Sequence, residues 1–185
     1  MSLYDDIEKV LITEQEIQER IVELGAEMNA VYTDEDLPLL LCILKGAFMF
    51  LADLSRQLTF RHEVDFMMIS SYGASTKSSG VVRILLDLES SIEARHVVVV
   101  EDIVDTGRTL DYIMRNLRTR QPKSIRVATL LNKPSRRELE VPVDFVGFEV
   151  PNEFVLGYGL DFDEQYRNMP FIGVLKPEIY NNQED

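Results

Sequence analysis

The chemistry in this chain is densest between Val97 and Leu110, in the run VVVVEDIVDTGRTL. Glu101 and Asp102 are adjacent carboxylates behind four consecutive valines. Asp105, Thr106, Gly107, Arg108 and Thr109 then make a short turn ahead of the helical pattern Leu110, Ile113, Met114, Leu117. Four β-branched residues in a row suit a strand buried on both faces of a parallel sheet, where stiff side chains pack without polar alternation. On this reading the strand stops before the acids. Ligands of open α/β sheets sit beyond the carboxyl ends of the strands, where a helix N-terminus offers unpaired N–H groups to an anion. The turn is not a P-loop, because Gly107 stands alone and Arg108 follows it in place of a Lys-Ser/Thr pair. One glycine allows a tight turn, and the hydroxyls of Thr106 and Thr109 with the backbone amides can grip a single phosphate monoester. The two acids repel that phosphate. They suit sugar hydroxyls, held directly or through a divalent cation. The ligand implied is a ribose 5-phosphate derivative.

The strand, the acid pair and the D-T-G-x-T turn resemble the phosphoribosyl pyrophosphate (PRPP) motif of the type I phosphoribosyltransferases. With Glu101 as the first acid and further matches on both sides, the likeness is to the hypoxanthine-guanine members, and it covers nearly the whole chain. The resemblance implies an α/β fold: a parallel sheet with flanking helices and a small hood subdomain. It implies transfer of the 5-phosphoribosyl group from PRPP to N9 of hypoxanthine or guanine, with Mg²⁺ required, inversion at the anomeric carbon, and pyrophosphate released. By the same resemblance, Glu101, Asp102, Asp105, Thr106, Gly107, Arg108 and Thr109 hold the ribose and its 5-phosphate. Asp105 also faces N7 of the base as proton acceptor. Lys45, Gly46 and Arg167 hold the pyrophosphate, in a loop whose Leu44 to Lys45 peptide can be cis. Lys133, Phe154 and Val155 bind the purine, Ser71 and Tyr72 belong to a lid, and Asp161 joins Glu101 and Asp102 at the metal. Arg137 is a weaker carry-over to the pyrophosphate region. A xanthine-preferring relative is the nearest alternative, and a PRPP-sensing RNA-binding regulator is a more distant one.

Read as residues alone, several of these positions have ordinary explanations. Lys45-Gly46 after an apolar run makes a plain turn, Lys133 a solvated charge, Phe154 a core aromatic, Asp161 and Arg167 surface charges, and GASTKSSG a hairpin loop. Asp105 opens a helix and is a favoured cap residue. One distinction follows from chemistry: an ammonium group donates and never accepts, so a lysine at the base suits a 6-oxo oxygen and rejects the 6-amino group of adenine.

The elements that must position these groups follow from periodicity. An amphipathic helix is expected over 13–31, with Ile17, Ile21, Leu24 and Met28 on one face and Thr13 as cap. Strands are expected at 37–44, 64–72, 81–88 and 125–131, and helices at 47–58 and 109–119. The 185 residues, 45% of them hydrophobic, can bury one substantial core. This predicts a single domain over 1–185, with its core roughly at 35–150 and the hood largely from 151–185. A net charge of -13 without a basic run argues against nucleic acid. No stretch is apolar enough to span a bilayer and the chain begins with acidic residues, so a cytoplasmic protein without membrane association is expected. Cys42 has no partner for a disulfide, and His62 and His96 lack ligand spacing. Apolar exposure on helix 47–58, with the family's habit, implies a homodimer or homotetramer.

Overall fold

A computed structural model of the chain describes residues 3–71 and 82–181. Its elements run β1 (Ile7–Ile12), α1 (Glu14–Asn29), β2 (Leu39–Leu44), α2 (Phe48–Ser55), β3 (Glu63–Ser71), β4 (Val82–Leu86), β5 (His96–Val104), α3 (Arg108–Arg118), β6 (Ser124–Asn132), β7 (Phe145–Glu149), β8 (Val155–Leu156), β9 (Ile172–Leu175) and α4 (Pro177–Asn181). The expected end of the valine strand is corrected, since β5 carries Glu101 and Asp102 within it. Parallel pairing with β6 continues past the apolar run, matching Glu101 to Thr129 and Val104 to Asn132, so the backbone ladder outlasts the hydrophobic signal.

The main sheet has the order β4-β3-β2-β5-β6-β7 and is parallel except for β4, which pairs antiparallel at the edge. Alternation along the strands divides the core. Leu40, Cys42, Val98, Val100 and Leu130 pack with Ile17, Ile21, Leu24 and Met28 of α1 and with Phe50 and Leu54 of α2. Leu39, Leu41, Val97, Val99 and Val127 pack with Leu110, Ile113, Met114 and Leu117 of α3. Every central strand is thus apolar on both faces. α1 begins as expected: the Thr13 side chain accepts from the Glu16 amide while the Glu16 side chain accepts from the Thr13 amide. α2 ends at Ser55, short of the expected 58, where the chain turns and the Leu58 amide donates to the Ser55 carbonyl at 3.3 Å.

A second sheet, β1-β9-β8, is antiparallel and forms the hood. Its third strand comes from the start of the chain, since β1 pairs with β9 and not with the main sheet. The segment after β8 is held left-handed at Gly157, Tyr158 and Gly159, and the Tyr158 hydroxyl donates to Asp53 on α2. Gln18 of α1 donates to the same carboxylate oxygen at 3.0 Å, so the hood is tied to both helices on that face of the sheet. Among the described residues, no helix is long and apolar enough to cross a membrane.

Candidate active site

A cavity of about 400 Å³ opens at the carboxyl ends of β2 and β5. Thr106, Gly107 and Thr109 line it on the side of the turn after β5. Gly107 is the N-cap of α3 at φ 85, a conformation that favours glycine, and it contributes no side chain to the first-turn amides. The Arg108 amide donates to the Thr106 hydroxyl at 3.4 Å, and the first turn of α3 lines the cavity at Thr109 and Leu110. Asp105 is not the cap, which corrects that plain reading. The turn is braced from behind: the amides of Glu138 and Leu139 donate to the Thr106 carbonyl at 2.9 and 3.1 Å.

Glu101 and Asp102 form the wall next to this turn. Glu101 is only 6% exposed. Burial, and then the charge of Asp102, pushes its carboxyl well above the usual range. Burial also pushes Asp102 up to about 6, against the amide of Ile103, which donates to its carboxylate at 2.7 Å. Asp102 lies directly on the loop after β2. A Cβ at Gly46 would stand 1.5 Å from its Oδ2, so only glycine fits there. The Leu44–Lys45 peptide in that loop is cis. Lys45 Nζ lies 2.9 Å from Glu164 Oε2. Arg167 Nη2 lies 2.9 Å from Asp161 Oδ1 and 3.1 Å from Glu164 Oε2, while its Nη1 donates to the Gly159 carbonyl at 2.8 Å.

A second cavity of about 270 Å³ adjoins the first, lined by Lys133, Arg136, Phe154 and Val155 among others. Lys133 is 5% exposed, and its Nζ donates to the Glu153 carbonyl at 2.7 Å. Burial lowers its affinity for the proton, with Asp105 opposing. Phe154, by contrast, is 42% exposed and lines the second cavity, with its ring perpendicular to that of Phe162 at a centroid distance of 5.6 Å. Asp105 and Ile103 line both cavities, and Arg136 Nε lies 3.2 Å from Asp105 Oδ1.

The phosphoribosyl transferase domain model matches residues 6–163, a span that includes the main sheet, the turn and every lining residue of the two cavities except Arg167. The chain belongs to the phosphoribosyltransferase family. It is 54% identical over 177 residues to the hypoxanthine-guanine phosphoribosyltransferase of Bacillus subtilis (strain 168), covering 96% of this chain and 98% of that protein. It is 52% identical over 180 residues to the bifunctional protein TilS/HprT of Listeria monocytogenes serotype 4b (strain F2365), covering 97% of this chain but only 28% of that longer protein. A crystal structure of a hypoxanthine phosphoribosyltransferase from Staphylococcus aureus superposes with a TM-score of 0.92 at 44% identity, covering 96% of each chain.

This phosphoribosyltransferase gathers most of the residues singled out from sequence around the two cavities. Lys45, Gly46, Glu101, Asp102, Asp105, Thr106, Gly107, Thr109, Asp161 and Arg167 line the first; Lys133, Phe154 and Val155 line the second, with Asp105 again. Arg108 does not line either, and its guanidinium pairs with Glu138 at 2.6 Å. Arg137 lies against Gly107 and bonds Asn132, placing it at the phosphate turn and not beside Lys45. Ser71 ends β3, and the rest of the expected lid, Tyr72 included, lies outside the described residues. Cys42 is buried and its thiol is pushed up to about 12, which leaves it inert. Sequence reasoning missed Arg136 and Glu164. Their only available signal was proximity in sequence to Lys133 and to the Asp161–Arg167 pair.

The buried acids make ligand-free stability depend on pH. A carboxyl whose folded-state value is raised binds its proton more tightly folded than unfolded, so its contribution is fullest at low pH and is lost as pH rises through about 6. The melting temperature of the ligand-free protein is expected to fall between pH 5 and pH 7, and Asp102→Asn should flatten that slope. Equal slopes in the two proteins would remove Asp102 as the cause.

Proposed function

We infer that this chain transfers the 5-phosphoribosyl group of PRPP to N9 of hypoxanthine or guanine, releasing IMP or GMP and pyrophosphate in purine salvage. It does so as a cytoplasmic single-domain enzyme over 1–185, with its core roughly at 35–150 and a hood largely from 151–185. The observation that carries this reading is the position of Asp105, which lines both the cavity edged by the phosphate turn and the cavity edged by Lys133 and Phe154. A group there reaches the sugar on one side and the base on the other. The near-full-length likeness to a protein named hypoxanthine-guanine phosphoribosyltransferase supports the same chemistry.

In this reading the 5-phosphate takes the first-turn amides of α3 with the hydroxyls of Thr106 and Thr109, and the ribose hydroxyls face Glu101 and Asp102. Lys45, the Gly46 amide and Arg167 hold the pyrophosphate. Phe154 stacks on the purine, Lys133 donates to its 6-oxo oxygen, and backbone groups at Val155 meet its edge. N9 attacks C1 of the ribose as the bond to pyrophosphate breaks, with inversion, and the N7 proton passes to the Asp105 carboxylate. Placing that base is worth about 10² to 10⁴ in rate, and positioning supplies much of the rest. The oxocarbenium-like ribose must be kept from water, a task assigned from sequence to the lid at Ser71 and Tyr72.

Mg²⁺ fits the donor set. Glu101, Asp102 and Asp161 offer hard oxygens, and the first two carry buried charge that burial alone disfavours. When bound, the ion neutralises charge on the departing pyrophosphate.

A second copy of the chain is the partner we assign to the apolar patch on the edge of the sheet. Val64 and Phe66 of β3 and Leu86 of β4 are exposed on the side that carries α1 and α2, beyond the cover those helices give, and Phe48 of α2 is exposed as well. Such a patch on a salvage enzyme is expected to close in a homodimer or homotetramer.

Asp105→Asn should keep PRPP binding, measured by calorimetry, while transfer falls at least about a hundredfold; undiminished transfer removes Asp105 from the chemistry. Offered with Mg-PRPP, hypoxanthine and guanine should release pyrophosphate while adenine and uracil do not, and comparable turnover of adenine would sink the role of Lys133. Xanthine in the same assay separates the nearest alternative. Phe66→Glu should shift the protein to a smaller species in sedimentation equilibrium, whereas an unchanged mass would clear the patch of any role in assembly.

A further inference from the structure

One carboxylate already stands between the two cations assigned to the pyrophosphate. Glu164 Oε2 lies 2.9 Å from Lys45 Nζ and 3.1 Å from Arg167 Nη2, so a single oxygen bridges the loop after β2 and the hood. The backbone aims it there. Asp163 and Glu164 are consecutive left-handed residues at φ 51 and 60, a conformation that non-glycine residues adopt only when their surroundings hold them. The Glu164 amide donates to Asp161 Oδ2 at 2.9 Å, and Phe162 and Gln165 pair antiparallel around it. The Glu164 side chain is nevertheless 63% exposed and is held only at its tip, which lets it swing aside. Arg167 keeps its contacts to Asp161 and to the Gly159 carbonyl when Glu164 leaves, so the cation stays aimed.

We infer that Glu164 is an internal occupant of the pyrophosphate subsite, which an incoming pyrophosphoryl group displaces and which returns to Lys45 and Arg167 as pyrophosphate departs. The inference rests on the reading of Lys45 and Arg167 as pyrophosphate ligands. Exposed ion pairs are individually weak, so the competition moderates affinity and does not block the site. Its consequence is looser binding of PRPP and of product pyrophosphate, with no effect on the base.

The test compares inhibition by Mg-pyrophosphate and the KM for PRPP in wild type, Glu164→Gln, Glu164→Asp, Asp163→Asn and Arg167→Gln. Glu164→Gln should tighten Mg-pyrophosphate about three- to tenfold and lower the KM for PRPP in parallel, with the KM for hypoxanthine unchanged. Glu164→Asp keeps the charge but is one methylene too short to bridge both cations, and should behave like Glu164→Gln. Asp163→Asn should match wild type. Unchanged pyrophosphate affinity in Glu164→Gln overturns the inference. So does Glu164→Asp behaving as wild type while Glu164→Gln and Asp163→Asn tighten alike, because that pattern belongs to charge at a distance. Failure of the underlying reading looks different: Arg167→Gln would then bind Mg-pyrophosphate as tightly as wild type.

Discussion

Glu101 and Asp102 sit in β5, inside the main sheet, above layers that are apolar on both faces; Glu101 is buried and Asp102 half-buried, and withdrawing adjacent carboxylates from water costs free energy in the ligand-free chain. The surrounding structure answers to that burial. Gly46 must lack a side chain because the Asp102 carboxylate occupies the space a Cβ would need. Arg167 must come from the hood to lend positive charge near Asp102, since the strands beside it supply none at that depth. The apolar packing of α1, α2 and α3 against the sheet supplies the stability that offsets the buried charge. Two carboxylates held in this way lack compensating charge of their own beyond what Arg167 lends.

The two cavities are tied together mechanically as well as sharing Asp105. The segment after β6 carries Lys133 into the second cavity, sets Arg136 beside Asp105, and then turns back so that Glu138 and Leu139 hold the Thr106 carbonyl of the phosphate turn. Seven residues, 133–139, therefore join the second cavity to the turn that lines the first. On the other side, the bond from Tyr158 to Asp53 fixes the hood against α2, the helix that begins just after Lys45 and Gly46. The Lys45–Gly46 loop and the Lys133 cavity each have a brace, and the two braces come from different sheets.

The hood explains why a chain of this size can enclose a site made largely of charges. Its sheet draws β1 from the start of the chain to pair with β9 near the end, so both termini of the fold are used to hold the cover over the strand ends. The small cluster of Leu156, Tyr166, Met169 and Leu175 gives this cover its own apolar support. The charged residues Asp161 and Arg167 can then line the cavity, with Glu164 paired to Arg167, without being the groups that hold the hood together.

Much of this was legible in the residues. The valine run, the period of α1 and its Thr13–Glu16 cap, and the one-glycine turn at Gly107 are local signals, because each depends on neighbours within a few positions. The expected lengths failed where pairing or turning overrode composition, as in β5 running on through its acids and α2 ending at Ser55. What the sequence by itself determined was the layered α/β framework and the strand, acid, turn and helix order that suits a phosphorylated sugar, since periodicity and contiguous chemistry survive in one dimension. Only the tertiary structure decided that Asp105 stands between two cavities, that Arg136 rather than Arg137 meets it, and that Glu164 bridges Lys45 and Arg167. Lys45 and Glu164 are 119 positions apart, and no local pattern encodes a contact that exists only once two sheets have been folded over one another.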